Sequence, residues 1–407
     1  MTTVGIVTEW FDRGSAFVSK ALSQTLRAAG VDVAIFARGE FRELGASFWP
    51  FDNLTFAQPC PLSVPKAIKR SDFTEWIRRV KPDAILFNEQ VWICPVEWAN
   101  ALGIPTIAYV DYYTRWSIRE MDAYDLLICN TRRHASAMSW HPNMVYIPWG
   151  TDLTDYHVRN EPSLEGRPVV FLHSAGWNPY RKGTDQVLRA FDQLHRDDVR
   201  LRIAIQGSLD KLTKLLDRDE FCILDNPKIE LLVGNHGPEF FASGDVYVYP
   251  SRLEGIGLTQ VEAIASGLPI LVPDEPPMSE FAASPHSMTI PVVQRTRRID
   301  GYYWPEVEVS VDDLARAMDS YASDDSRPHW KGESRSWAEE NLDWAQNSTE
   351  LAPAVHKLIS EYPHRKRSVS INCRLGGFAS ELPTPLSASY GIAWRLHSRM
   401  RRLFHPS

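Results

Sequence analysis

The chain has 407 residues, of which 44% are hydrophobic and 23% charged, a balance that suits a soluble globular protein with room for two domains of ordinary size. No apolar run approaches the roughly eighteen residues of a membrane-spanning helix, and the amino terminus runs straight into a strand without the layout of a signal peptide. The net charge of −7 hides an asymmetry: residues 362–407 carry eight Arg or Lys and one acid, Glu381, so this tail is +7 and the body −14. An acidic body argues against nucleic acid as the partner of the whole protein. The five cysteines are scattered, odd in number and without a C-x-x-C pair, and are expected to be reduced thiols of a cytosolic protein.

In chain order the pattern alternates strand and helix. Val4–Thr8 reads as a strand, Ser15–Ala29 as a helix and Val31–Ala37 as a strand, while the aromatic, Pro-rich residues 40–70 give no clear element. Helices near Asp72–Val80, Pro95–Leu102 and Thr131–Trp140 then alternate with strands at Asp83–Asn88, Ile104–Val110, Asp125–Asn130 and Val145–Pro148. After the polar stretch His157–Arg167 a second set begins, with strands at Val169–His173, Leu201–Gln206, Lys228–Val233, Val246–Tyr249 and Ile270–Val272. Its helices are expected at Thr184–Leu194, just after Thr259, at Val311–Tyr321 and, as one long element, at Glu333–Ile359. Alternation of this kind predicts α/β domains with parallel, doubly wound sheets. The expected divisions are 1–155, 156–361 and a basic extension, 362–407.

The most informative segment is Pro250-Ser-Arg-Leu-Glu254-Gly255-Ile256-Gly257-Leu258-Thr259-Gln260-Val261-Glu262. It reads as a strand end, a glycine loop and a short helix, with Thr259 as N-cap, Glu262 closing a capping box, and Ser266-Gly267-Leu268-Pro269 as the stop. Unsatisfied N–H groups at the helix start favour an anion, and glycine on the loop lets backbone approach a ligand. Alone, Glu262 is as readily a capping residue and Glu254 a solvated loop acid. A second place is Gly176-Trp-Asn-Pro-Tyr-Arg181-Lys182-Gly183, entering a helix. Two cations at a helix's positive end are unfavourable by up to ~1 kcal/mol, so either a nearby acid or an anionic ligand is needed to hold them there.

The two glutamates with seven residues between them, followed by Glu-Ala-x-Ala-x-Gly-x-Pro, resemble the E-x7-E signature of retaining glycosyltransferases of family 4, which have the GT-B fold. The resemblance covers roughly residues 1–360 and is dense from 168 to 282. It implies two Rossmann-like domains with parallel sheets facing across a cleft, and transfer of a sugar from a nucleotide-diphosphate sugar, UDP- or GDP-linked, to an acceptor hydroxyl with retained configuration. Glu254 is then expected to meet the transferred sugar. Glu262 would meet the ribose, and Lys182, with Gly255, Ile256, Gly257, Leu258 and Thr259 at the helix start, the diphosphate. Where the family places Arg after the first glycine this chain has Trp177, and Arg181 is the expected substitute. Ile147-Pro-Trp-Gly-Thr-Asp152 resembles the family's inter-domain segment, and Asp12-Arg-Gly14-Ser its amino-terminal glycine loop, with an ordinary turn as the alternative for each. Where the family often has His after a strand of the first domain, Asp111 stands, either beside the reacting carbon or as a structural strand-end acid.

No cofactor and no metal are expected; the implied partners are the donor and a carbohydrate or lipid-linked acceptor. The basic stretch Tyr390–Phe404 has two readings: peripheral contact with anionic lipid at the inner face of a membrane, or a segment packed back on the first domain or without fixed structure. A sugar-nucleotide epimerase of the same fold and a non-catalytic partner subunit are the alternatives to a transferase.

Overall fold

The computed structural model describes residues 2–39, 48–158, 166–234, 236–324, 327–362, 367–382, 387–388 and 390–394. The chain forms two compact units: residues 1–147 with 300–303 and 348–407, and residues 148–299 with 304–347. The boundary at Ile147/Pro148 falls within the Ile-Pro-Trp-Gly-Thr-Asp segment. The division differs from the expected one at the other end, because the chain after Asn347 returns to the first unit rather than completing the second.

The first unit is built on strands β1 (Thr3–Thr8), β2 (Asp32–Ala37), β3 (Leu54–Phe56), β4 (Ala84–Asn88), β5 (Thr106–Val110), β6 (Leu126–Cys129) and β7 (Met144–Tyr146). They make one sheet in the order β3-β2-β1-β4-β5-β6-β7, every pair parallel. Strands β1, β2, β4, β5 and β6 are Val-, Ile- and Leu-rich and almost wholly buried, as expected for a parallel sheet covered on both faces. Helices α1 (Gly14–Ala28), α2 (Arg70–Val80), α3 (Cys94–Ala101) and α4 (Arg132–Ala137) make the crossovers. β3 and the 3-10 segment Ile118–Ala123 lie where the sequence pattern gave no element.

The second unit has the sheet β10-β9-β8-β11-β12-β13, also parallel throughout. Its strands are β8 (Val169–Gly176), β9 (Val199–Ile205), β10 (Ile229–Val233), β11 (Val246–Val248), β12 (Ile270–Pro273) and β13 (Met288–Ile290). An antiparallel hairpin, β14 (Val292–Thr296) with β15 (Glu306–Val309), is additional to the expected elements. Helices α5 (Thr184–Asp192), α6 (Asp210–Thr213), α7 (Pro238–Ala242), α8 (Leu258–Ala265), α9 (Val311–Ala322) and α10 (Arg327–Asn341) surround the sheet. The core gathers Phe171, Val187, Phe191, Leu201, Ile203 and Leu314, each essentially removed from water and each worth roughly 1.5–3 kcal/mol of apolar transfer.

The long helix expected over Glu333–Ile359 is broken into α10, a short turn of helix (Trp344–Asn347) and a separate helix (Leu351–Glu361). The break is set by backbone pairing. Thr151 N–H donates to the Leu342 carbonyl at 2.8 Å and Trp344 N–H donates to the Thr151 carbonyl at 3.1 Å, so Leu342–Trp344 is drawn into a strand-like bridge. Gly150 permits it, since a Cβ there would stand 2.4 Å from the Leu342 carbonyl oxygen. The Trp149 and Trp344 rings then pack at a 39° tilt with centroids 4.8 Å apart.

The expectation that every cysteine is reduced is corrected: Cys94 and Cys373 form a disulfide, while Cys60, Cys129 and Cys222 are free. The partners are 279 residues apart in the chain, so no local spacing could announce the pair. The bond joins α3 to a terminal helix, Ile371–Ala379, within the first unit. The part of the tail that is described therefore packs on the first unit, and residues 395–404 of the expected basic helix lie outside the described residues. Among the described residues no helix is long and apolar enough to cross a membrane.

Gly150→Ala is expected to destabilise the protein by about 1–3 kcal/mol, the range for forcing extra atoms and backbone shifts into a packed site. Urea unfolding followed by tryptophan fluorescence measures it, and an unchanged midpoint would remove the close approach as the reason for glycine.

Candidate functional site

The loop between β11 and α8 carries Glu254, and the turn between β8 and α5 carries Arg181 and Lys182. These two connections meet. The Arg252 N–H donates to the Arg181 carbonyl at 2.7 Å, and a Cβ on Gly183 would lie 2.2 Å from the Pro250 carbonyl oxygen. Gly183 is also left-handed, with φ +71° as the N-cap of α5, so it is required twice over. Arg252 clamps the turn from the other side, with Nη1 and Nη2 donating to the two oxygens of Asp185 at 2.7 and 2.8 Å. This bidentate pair is buried on both sides and is the geometry in which an Arg–carboxylate pair is strongest. Sequence reading missed both residues, although Asp185 falls in the first turn of its helix, where an acid is favoured.

Glu254 is buried and accepts from four side chains. Lys182 Nζ donates to Oε1 at 2.7 Å, the Tyr249 hydroxyl at 2.6 Å and the Ser251 hydroxyl at 2.6 Å, while Arg181 Nη1 reaches Oε2 at 2.9 Å. Burial alone would raise this carboxyl, but Arg181 and Lys182 hold it well below the ordinary carboxylate range. Lys182 is pushed down to about 8 by burial, which Glu254 only partly offsets. The acid that balances the two cations is thus Glu254 itself. Arg181 and Lys182 share one carboxylate, Glu254, between them.

Beneath the cluster, His173 is fully buried, with Nδ1 2.8 Å from the Val248 carbonyl and Nε2 2.8 Å from the Thr184 hydroxyl. A carbonyl only accepts, so Nδ1 carries the proton and Nε2 accepts from Thr184. Burial pushes this imidazole down to about 4, which keeps it neutral. It ties β8, β11 and the first residue of α5 together.

The expected capping box is corrected. The N-cap of α8 is Gly257, left-handed at φ +87°, and no side chain caps the helix. Thr259 and Glu262 therefore sit deeper in the helix than the box requires, with Leu258 opening it. The stop is as expected, with Gly267 at φ +83° after Ser266. Glu262 is half-buried and faces Tyr156; burial pushes it up to about 7 against the lowering effects of the Tyr156 hydroxyl and Lys182. Gly255 and Ile256 complete the loop, with the Ile256 carbonyl accepting from Gln260 Nε2 at 3.1 Å.

The structure thus brings together Arg181, Lys182, Glu254 and Glu262 in the second unit. Trp177 is exposed, its ring 5.3 Å from Lys211 Nζ, and Arg181 takes the cationic place beside Glu254.

Asp111 and Gly14 belong to the first unit. Gly14 opens α1 behind an extended Arg13 that has no capping side chain. Asp111 follows β5; its carbonyl accepts from the Tyr302 hydroxyl at 3.3 Å and its side chain hydrogen-bonds with Glu89. Glu89 is left-handed at φ +54°, and Lys66 bridges it, at 3.3 Å, to buried Glu9. Burial would raise Glu89, but Lys66, the bond with Asp111 and Arg38 bring it below its ordinary value. Glu9, Lys66 and Glu89 were not anticipated; the signal was one acid after β1 and another after β4, the same strand-end position as Asp111.

Two Rossmann-like units, each a parallel sheet flanked by helices, make up the GT-B fold. Residues 158–337 match the family model described as Glycosyl transferases group 1. The chain is 28% identical over 191 residues, 44% of its length, to the UDP-N-acetylglucosamine–peptide N-acetylglucosaminyltransferase GtfA subunit of Streptococcus pneumoniae, of which the match covers 35%. It is 26% identical over 305 residues, 62% of its length, to the D-inositol 3-phosphate glycosyltransferase of an Arthrobacter species, covering 72% of that protein. The match to a lipopolysaccharide core mannosyltransferase of Rhizobium leguminosarum covers 47% of it, so the chain spans about a third to a half of the first curated relatives it matches. Among solved structures, sucrose-phosphate synthase from Thermosynechococcus elongatus superimposes with TM-score 0.68 at 13% identity, over 88% of this chain and 100% of that one. Anabaena HepE with UDP and glucose gives 0.66 at 16% over the same shares. These likenesses establish the fold.

The raised carboxyl of Glu262 makes a stability prediction. Its folded value of about 7 exceeds its ordinary 4.5, so the folded protein binds the extra proton between those values. Its contribution is full below pH 4.5 and lost as pH rises to about 7. The melting temperature of Glu262→Gln, read by calorimetry, is expected to gain on the wild type across this window; a constant difference would remove the raised carboxyl.

Proposed function

We propose that this chain is a glycosyltransferase moving a sugar from a nucleotide-diphosphate sugar, UDP- or GDP-linked, to an acceptor hydroxyl, with retained anomeric configuration and without a metal ion. The observation that carries the reading is the Glu254 carboxylate held by Lys182 and Arg181 against the open start of α8. The family match at residues 158–337 and the names of the curated relatives support it.

In the reaction the bond from the anomeric carbon to the diphosphate oxygen breaks with its electron pair leaving on oxygen. The acceptor oxygen bonds to the same carbon and loses its proton, which passes to the departing diphosphate or to water. Negative charge grows on the diphosphate, and Lys182, Arg181 and the N–H groups at Leu258 and Thr259 stabilise it. Glycine at 255 and 257 lets the loop backbone come close. Glu254 accepts from the hydroxyls of the transferred sugar and Glu262 from those of the ribose. Because Glu254 already spans both cations, donor binding exchanges part of that ion pairing for phosphate, and the site is pre-shaped rather than assembled on binding. The acceptor is a carbohydrate or a lipid-linked carbohydrate in glycan biosynthesis. Asp111 and Glu89 at the strand ends of the first unit are the groups we assign to its side of the reaction, and the basic residues after 394 to contact with anionic lipid.

Lys182→Met is expected to lower the transfer rate by about 10²–10³-fold, the loss seen when one stabilising donor is removed from a charged transition state, and Glu254→Gln, which leaves two cations without their carboxylate and the sugar hydroxyls with a weaker acceptor, is expected to lower it as well. Transfer from radiolabelled UDP- and GDP-sugars to a total glycolipid extract measures it, and excess EDTA should leave the rate unchanged. Free epimerised nucleotide sugar with no transferred label would favour an epimerase. An unimpaired Glu254→Gln enzyme would sink the assignment.

A further inference from the structure

The first unit contains a cavity of about 880 Å³ that shares no residue with the Glu254 site. It runs along α3 and the 3-10 segment Ile118–Ala123 and is walled on one side by the chain after Tyr362. That wall is fixed in place. The Cys94–Cys373 disulfide staples it to α3, Ser370 N–H donates to Glu97 at 2.7 Å, and Arg367 Nη2 reaches Asp125 Oδ1 at 2.6 Å. The volume is that of a pocket for a ligand of several rings, not for a water or an ion.

Its lining has two kinds of surface. Four half-buried aromatic side chains contribute, Tyr112, Trp116, Tyr390 and Trp394, while Trp92 and Tyr124, also on the wall, are buried. Between them stand five acids, Glu97, Glu120, Asp122, Asp125 and Asp300, against two arginines. Both arginines are engaged, Arg367 with Asp125 and Arg119 over the Trp140 ring at 4.8 Å. An excess of carboxylates disfavours phosphate, nucleotide or any other anion. The carboxylates of Glu120, Asp122 and Asp300 and the side chain of Asn143 offer acceptors to hydroxyl groups, and the half-buried rings of Trp116, Tyr390 and Trp394 offer stacking to the apolar faces of pyranose rings. A fatty chain would leave the polar groups unmatched. A small cation held by aromatic faces would leave most of the volume unfilled.

We infer that this cavity is a second saccharide site, binding a neutral oligosaccharide of a few rings. Its use as the seat of the acceptor's sugar chain rests on the transfer reading above, whereas the binding itself does not. The extension beyond residue 362 then contributes directly to binding, because Tyr390 and Trp394 complete the aromatic lining.

The test is direct binding of maltohexaose, cellohexaose and chitohexaose to the full chain by isothermal titration calorimetry, with no nucleotide present. At least one should bind saturably. Trp394→Ala should weaken that binding by about fivefold, as expected for one lost ring contact, and Trp394→Phe should restore most of it. Lys182→Met should bind the oligosaccharide as the wild type does, which keeps failure of this site distinct from failure of the donor reading. Thermal melts of each variant separate loss of contact from loss of fold. No saturable binding of any of the three, unchanged affinity in Trp394→Ala, or preferential binding of dodecyl chains or choline would overturn the inference.

Discussion

A single buried carboxylate organises the second unit. Glu254 takes donors from Lys182, Arg181, Tyr249 and Ser251, and so ties the β8–α5 turn to the β11–α8 loop. An unpaired carboxylate in that position would cost several kcal/mol, so the two connections are obliged to meet. The Arg252–Asp185 pair repeats the tie from below, and neutral His173 fixes the strands under it. The placement of α8, with its uncapped start beside the cations, follows from these constraints. The same contacts that hold the fold are the ones the proposed donor would compete for.

Much of this was legible in the sequence for physical reasons. Buried parallel strands read as short apolar runs, and nearly every such run proved to be a strand within a few residues. Arg181, Lys182 and Glu254 stood out because each lies at a strand-to-helix connection marked by glycine, and Glu262 because it follows such a connection inside α8. The illegible parts depend on distant partners. The break after Asn341 is imposed by Thr151, the helix start at Gly257 by a left-handed turn rather than by a capping side chain, and the disulfide by a helix 279 residues away. Arg252 looked like an ordinary loop residue, since its partner Asp185 lies in another connection. Of the two expected ways to hold Arg181 and Lys182 together, a nearby acid or an anionic ligand, the structure supplies the acid, Glu254, a residue already singled out for a different reason.

The first unit shows the same economy at its strand ends. Acids after β1, β4 and β5 are gathered by Lys66 and by the Glu89–Asp111 bond, a grouping no single motif displays. Both units therefore concentrate ionisable side chains beyond the carboxyl ends of their strands, where open α/β sheets leave room for ligands.

The return of the chain to the first unit has a consequence for biosynthesis. Helix α1 packs with Leu351–Glu361, and the Thr25 and Ser348 hydroxyls lie 3.2 Å apart. Leu351 and Val355 are fully buried. As the polypeptide leaves the ribosome, the first seven strands emerge early, but one face of α1 stays uncovered until Leu351–Glu361 has been made. Synthesis at about 5–20 residues per second makes that a wait of many seconds. The second unit, continuous apart from one short excursion, has every one of its segments in hand before the first does. The amino-terminal unit is thus the last to be completed.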